Sequence, residues 1–388
     1  MIKPAERISA IQEYYFSRKL KEVAQLNKAG QDIVSLAIGS PDMPPSKQTI
    51  DKLCAVARQP DAHGYQPTSG LSELRLAMAG FYHRVYHVEL DPQKELQPII
   101  GSKEGIMYVM LAFCNAGDAV LVPDPGYPTY TAVNKLFGTQ VIKYNLQADN
   151  GWQPDFEQLE SMDLSRVRVM WTNYPNMPTG GNARRETFER LVDFAHRHDI
   201  LVVNDNPYSL ILNEHPMSIL QIEGAKDYCL ELNSMSKSHN MPGWRVAMLA
   251  GNAQYIQWMF KIQSNIENGM FRGIQLAAAE AYNTNTAEWH RKYNIETYKK
   301  RRHIAEDIMR ALHCSFDPAQ VGMFLWGRIP DRYSDAEQLT EAVLHKARVF
   351  ITPGFIFGNN GKRYIRISLC ATEEKMKEAL RRICEAEL

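Results

Sequence analysis

Hydrophobic and polar positions switch between two periods along the middle of the chain. In ETFERLVDFA (186–195), Phe188, Leu191, Val192 and Ala195 recur at the spacing of one helix face, which predicts an amphipathic helix. LVVND (201–205) follows as a short apolar run rich in Val and closed by polar residues, the form of a buried strand. DAVLVP (118–123), RVRVMWTN (166–173), YCLELN (228–233) and WRVAMLAG (244–251) repeat that form. Strands alternating with helices in this way predict an α/β fold, with a mostly parallel sheet covered by helices on both faces. Ligands of such sheets sit at the carboxyl ends of the strands, so polar residues there are the first candidates for chemistry.

Near residue 283 the pattern changes. NTAEWHRKYNIETYKKRRHIAEDIMRAL reads as one long charged helix, and GMFLWGRI (322–329), RVFIT (348–352) and YIRISL (364–369) are strand-like. A last amphipathic helix is expected to start at Thr372 as N-cap and to turn Met376, Leu380 and Ile383 inward. These elements predict a smaller α+β domain over 283–388, a large domain over 47–282, and an N-terminal segment, 1–46, that joins the small domain. There are no repeats, low-complexity segments or long linkers.

Composition narrows the function classes. At 388 residues and 45% hydrophobic the chain can bury a large core without staples. Lys plus Arg number 44 and Asp plus Glu 44, so no basic field attracts nucleic acid or an anionic membrane. Six scattered cysteines without a C-x-x-C pair argue against a disulfide framework and against a zinc site, and no metal is expected. MIKPAERISAIQEYYFSRK has no apolar signal-peptide core, and no run approaches membrane-spanning length. The expectation is a reduced, cytoplasmic protein.

Several segments carry candidate chemistry. In SMSKSHNMPGWR (234–245), Lys237 lies between serines with Arg245 close behind. A lysine that must lose its proton near neutral pH needs desolvation and nearby cations, and Ser234, Ser236 and Arg245 also suit a phosphate. The plain alternative is a solvated loop lysine. In VVNDNPY (202–208), Asp205 closes a strand and Tyr208 follows, a carboxylate and a phenol suited to a heterocyclic nitrogen and a ring oxygen; a turn aspartate is the plain alternative. WTNYPNMPTGG (171–181) predicts a rigid, sharply turning loop in which an X-Pro bond is a candidate for cis. PIIGSKEG (98–105) ends a strand at a glycine and opens a helix whose first N–H groups, with Ser102, suit an anion. PDPGYPTY (123–130) exposes Tyr127, which could stack on a flat ring. Arg366 in YIRISL is either a carboxylate clamp or an outward-facing strand residue. His83 and His87 lack the glutamate of an HExxH motif, there is no GxGxxG, and GNNGKR (358–363) lacks the P-loop spacing.

Together and in this order, the segments resemble the class I/II aminotransferases, pyridoxal-phosphate enzymes of fold type I, from about Gly39 to Arg366. SMSKSHNMPGWR is similar to the family's SxSKxxxxxGxR motif. The resemblance implies that Lys237 binds the cofactor covalently and acts as general base and acid, that Ser234 and Arg245 hold its phosphate, and that Ser102 and Lys103 add backbone N–H groups. It implies that Tyr127 stacks on the pyridine ring, that Asp205 holds its nitrogen and that Tyr208 lies near O3′. GYQPTSGLSELR (64–75) resembles the segment whose tyrosine, here Tyr65, reaches the phosphate of the other subunit, which implies a homodimer with shared sites. LAIGSPD (36–42) resembles LxxGxPD, placing Gly39 near the substrate carboxylate that Arg366 binds. One position departs: the family asparagine before Pro-Thr-Gly, which hydrogen-bonds O3′, is Met177 here; either Asn173 or Asn176 supplies the missing donor or the bond is absent, and Asn176 is the candidate for binding cofactor and substrate.

The activity so implied moves an amino group from an L-amino acid to a 2-oxo acid, by a ping-pong cycle, in the aspartate, alanine and diaminopimelate branch of the family. The alternatives are a carbon–sulfur β-lyase of the same fold and a non-enzymic pyridoxal-phosphate-binding regulator. Reading a second substrate carboxylate requires a further cation, for which Arg272 and Arg18 are candidates against a plain surface or interface role.

Overall fold

The computed structural model describes residues 2–8 and 15–388. Its centre is a seven-stranded sheet. The strands are β1 (Leu96–Ile99), β2 (Ala119–Asp124), β3 (Gln140–Asn145), β4 (Val167–Thr172), β5 (Leu201–Asp205), β6 (Cys229–Ser234) and β7 (Ala247–Gly251). They lie side by side in the order β1-β7-β6-β5-β4-β2-β3. Every neighbouring pair is parallel except those of β7, which runs antiparallel to both β1 and β6. Every residue of β2, β5 and β6 is buried, as continuous apolar runs require when helices cover both faces.

Two cores flank the sheet. On one side Ile106, Val109 and Tyr130 pack with Trp171, Val203 and Leu232; on the other Leu74, Met78, Phe188 and Leu191 pack with Met170 and Met248. The helix Arg185–His198 shows how the pattern becomes structure. Phe188, Leu191, Val192, Phe194 and Ala195 are buried, each large apolar side chain contributing roughly 1.5–3 kcal/mol. Its last turn carries His196, Arg197 and His198, which suit the negative end of the helix dipole.

A second sheet of four strands runs Thr352–Pro353, Tyr364–Ser368, Phe324–Arg328, Ser315–Phe316, all antiparallel. Val34–Ser35 pairs in parallel with Val349–Phe350, tying the N-terminal segment to this part of the chain. On that pairing we propose that residues 1–46 belong with 283–388 and that 47–282 forms the large domain. The last helix begins where Thr372 accepts a hydrogen bond from Lys375 N at 3.4 Å, and it buries Met376 and Ile383.

Three elements differ from the sequence pattern. RVFIT is two short strands with different partners, Val349–Phe350 and Thr352–Pro353. WRVAMLAG starts its strand only at Ala247, because Arg245 turns into the left-handed region at φ 58°. The long charged helix widens into a π turn over Arg291–Glu296, between Ala287–His290 and Thr297–Ala311. Among the described residues no helix is long and apolar enough to cross a membrane.

Candidate active site

The carboxyl ends of β2, β4, β5 and β6 converge on one cavity of about 310 Å³. Gly39, Ser102, Lys103, Tyr127, Asp205, Tyr208, Ser234, Lys237, Arg245 and Arg366, drawn from positions 39 to 366, all line it. So do Tyr130, Asn173, Met177, Ser236, Phe324 and Phe357.

One end is built for an anion. The helix Ser102–Phe113 points its first turn into the cavity behind Gly101, and the first N–H groups of a helix have no partner within it. Gly101 has φ 101°, and a Cβ there would lie 1.9 Å from Arg245 Nη2, so only glycine lets the guanidinium lie across this turn. Arg245 Nη1 donates to Pro242 O at 3.1 Å, and its Nη2 is 3.6 Å from Glu104 Oε2. Ser234 caps the short helix Met235–Ser238, accepting from Ser236 N at 3.1 Å and donating to Ser236 Oγ at 2.9 Å. That cap fixes the turn from which Lys237 projects.

The other end is built to hold and move protons. Asp205 is buried, and Tyr130 Oη donates to its Oδ2 at 2.9 Å while Tyr130 stacks on Trp171. Its Oδ1 is buried with no hydrogen-bond partner. Burial pushes the carboxyl up to about 7, against the Tyr130 hydrogen bond, with Glu231 adding to the rise and Lys237 opposing it. Lys237 Nζ donates to Gly39 O at 2.6 Å. Burial pushes its pKa down; Arg366 and Arg245 act in the same direction, and Cys370 and Asp205 oppose them. The Tyr208 phenol is raised by burial, so it is a hydrogen-bond donor at neutral pH.

Arg366 is 6% exposed, which excludes the outward-facing reading of YIRISL. Its guanidinium carbon lies 4.0 Å from the Phe324 ring centroid and 4.7 Å from that of Phe357. Nη2 donates to Ala37 O at 2.9 Å, and Nη1 lies 3.3 Å from Met177 Sδ. The aromatic faces and the carbonyl fix the plane of the fork before any carboxylate arrives.

Asn176, expected at the site, is not on the cavity wall; its place is taken by Asn173 and Met177. The Asn176 Oδ1 is committed to its own turn, accepting from Thr179 Oγ1 at 2.7 Å and Thr179 N at 3.3 Å. Asn173 is also tied, donating to Asp205 O at 2.5 Å and accepting from Met177 N at 2.8 Å. Both X-Pro bonds of this loop, Tyr174–Pro175 and Met177–Pro178, are cis. Tyr65 lies outside the cavity and is 91% exposed. Arg272 is paired with Asp61 at 2.8 Å, and exposed Arg18 lies over the Tyr15 ring, so neither reaches the cavity.

Sequence reasoning missed Tyr130 and Glu231. Tyr130 follows Tyr127 by one helical turn, a spacing that could have revealed it. Glu231 is buried beneath the site, accepting from Tyr82 Oη at 2.9 Å, Asn204 Nδ2 at 3.0 Å and Ile219 N at 3.1 Å. Asn204 in turn accepts from Tyr174 N at 3.2 Å, so this carboxylate braces the loop that carries Asn173 and Met177.

An anion seat, a buried carboxylate oxygen awaiting a donor and a lysine whose pKa is lowered by burial fit a flat, phosphorylated heterocycle such as pyridoxal phosphate. They are the parts required where a lysine and a cofactor share the chemistry of an enzyme. The family model described as aminotransferase class I and II matches residues 31–383. An LL-diaminopimelate aminotransferase of Moorella thermoacetica is 39% identical over 384 residues, spanning 98% of this chain and 97% of that one. Another, from Dehalococcoides mccartyi, is 36% identical over 98% of both chains. Among solved structures, apo-BacF from Bacillus subtilis superposes with a TM-score of 0.94 at 32% identity, covering 100% of this chain and 99% of that one. The chain belongs to the class I and II aminotransferases. It is therefore a transaminase of fold type I, and the family implies pyridoxal phosphate as its cofactor.

Proposed function

We propose that the protein uses pyridoxal 5′-phosphate to move the amino group of a diaminopimelate-like L-amino acid to a 2-oxo acid, rather than acting on aspartate or alanine. The observation that carries the cofactor reading is the buried Asp205 Oδ1, which has no partner and faces the same cavity as Lys237. The substrate reading rests on the relatives named as LL-diaminopimelate aminotransferases. When bound, the cofactor supplies a carbonyl carbon that takes up the amino group and a ring that accepts the electron pair left on Cα.

The residues divide the remaining work. Ser102 and Lys103, through their backbone N–H groups, and Ser234 and Arg245 bind the phosphate; Tyr127 supports the ring face. Asp205 accepts the ring N–H and keeps that nitrogen protonated, which is the role its vacant oxygen suits. Tyr208 donates to the ring oxygen. Arg366 binds the substrate α-carboxylate beside Gly39 and so orients the Cα–H bond. Lys237 Nζ, whose pKa is lowered by burial, takes the Cα proton and returns it, as general base and then acid. Exposed Tyr65 supports a homodimer in which it reaches the phosphate of the other subunit. The six unpaired cysteines support a reducing cytoplasmic setting.

The test is the visible absorbance of the purified protein with added pyridoxal phosphate, before and after single L-amino acids without oxo acid. A yellow band that bleaches, with release of one equivalent of 2-oxo acid, is expected, and diaminopimelate should bleach it more completely than alanine or aspartate. Lys237→Ala should abolish turnover and leave the cofactor removable by dialysis. Pyruvate and ammonia accumulating beside a persistent band would point to the carbon–sulfur lyase. No band at all would overturn the cofactor reading.

A further inference from the structure

A second cavity, of about 390 Å³, adjoins the first and shares Tyr127, Ile356 and Phe357 with it. It is a crevice between the helix Pro128–Phe137 and the turn Gly354–Phe357. Thr131, Ala132 and Lys135 face it from successive turns of the helix, and Lys143 reaches it from β3. The first cavity lies at the small end of the range for ligand sites and must also hold the cofactor, so a long substrate side chain needs further room. The contiguous crevice supplies it.

Its charge is specific. Lys143 Nζ is 3.0 Å from Asp124 Oδ2, and the same carboxylate also accepts from Asn359 N at Oδ2 and Asn360 N at Oδ1, each at 3.0 Å, so Lys143 shares its anion with two backbone donors. Lys135 has no acidic partner among the described residues. Two cations therefore face one anion, which is paired with Lys143. The walls between them and the first cavity are Tyr127, Phe357 and Ile356, apolar surface suited to a methylene chain.

We propose that this crevice is the subsite for the distal carboxylate of a long amino dicarboxylic substrate, with Lys135 as its principal cation and Lys143 as its second. The inference rests on the transaminase reading of the adjoining site. An amino acid held at its α-carboxylate by Arg366 runs its methylenes past Tyr127 and Phe357 and ends at Lys135. Arg272 and Arg18, the cations suggested by sequence, line neither cavity.

The experiment compares kcat/KM for diaminopimelate with kcat/KM for alanine in the loaded wild type, Lys135→Gln, Lys143→Gln and Lys135→Glu. Binding of pimelate, a dicarboxylate without an amino group, is followed in parallel by calorimetry. Losing one charge-assisted contact should lower the diaminopimelate-to-alanine ratio about tenfold in Lys135→Gln, mainly through KM, and weaken pimelate to match. Lys135→Glu should lower the ratio further and raise the preference for lysine over alanine. A ratio and a pimelate affinity that stay within twofold of wild type in Lys135→Gln would overturn the subsite while transamination stood. A wild type that transfers no amino group would instead defeat the reading on which it rests.

Discussion

Replacing Asp205 with Asn should change stability in opposite directions with and without cofactor. In the cofactor-free protein the carboxylate is buried with one oxygen unpaired, and its pKa rises from an ordinary 3.8 to about 7. The folded state thus binds this proton more tightly than the unfolded chain. Between about pH 4 and 7 the folded protein carries the extra proton, so this group makes stability fall as pH rises. At about 1.36 kcal/mol per pH unit the full cost above pH 7 is about 4 kcal/mol. An asparagine oxygen still accepts from Tyr130 Oη but carries no charge to desolvate. Cofactor-free Asp205→Asn should therefore melt several degrees above wild type at pH 8 and gain little at pH 4. With pyridoxal phosphate bound the order should reverse, because the wild-type carboxylate then receives the ring N–H and the amide cannot hold that nitrogen protonated. Calorimetric melting from pH 4 to 8.5, with and without cofactor, reads both effects. A cofactor-free difference that does not grow with pH would refute the claim that this carboxylate is costly until the ring arrives.

Two further perturbations probe the same geometry. Tyr130→Phe removes the hydrogen bond that favours the charged form of Asp205, so its pKa should rise further. The acid limb of cofactor binding, followed by absorbance titration, should move up by about one pH unit, the equivalent of one hydrogen bond to a charge. Arg366→Lys keeps the charge but loses the planar fork that Phe324 and Phe357 sandwich. Steady-state kinetics should show kcat/KM down about a hundredfold, mostly through KM, whatever the amino acid.

What was legible in the sequence was what is local. The strand ending at Asp205, the serine-flanked turn of Lys237 and the N-cap at Thr372 each depend on residues within a few positions, and each lies where the pattern put it. Arg366 was ambiguous for a physical reason. Ile365, Arg366, Ile367 and Ser368 are all buried, so the strand has no solvent face against which alternation could be read. The Tyr130–Asp205 bond joins residues 75 positions apart, and Glu231 reads as an ordinary strand glutamate until Tyr82, Asn204 and Ile219 close around it. The π turn was invisible because the contact made from it reaches a distant part of the chain. Asn294, fully buried there, donates to Ser238 O at 2.8 Å, one residue beyond Lys237.

Met177 shows where the resemblance and the structure had to be read together. By resemblance an amide belongs at this position, hydrogen-bonded to O3′ of the cofactor. Here a thioether touches the arginine, and the two nearby asparagines have their carbonyl oxygens engaged in holding the loop. A thioether is a weak acceptor and no donor, so it orders the Arg366 fork chiefly by packing. With no donor from residue 177, Tyr208 is the phenol left at the ring oxygen. The proton balance of the site then falls mainly on Asp205 at one edge and Lys237 at the other. Asp205 is buried and Lys237 half-buried, and desolvation moves the carboxylate up and the amine down. On the proposed mechanism, desolvation of Lys237 favours the neutral amine that takes the Cα proton.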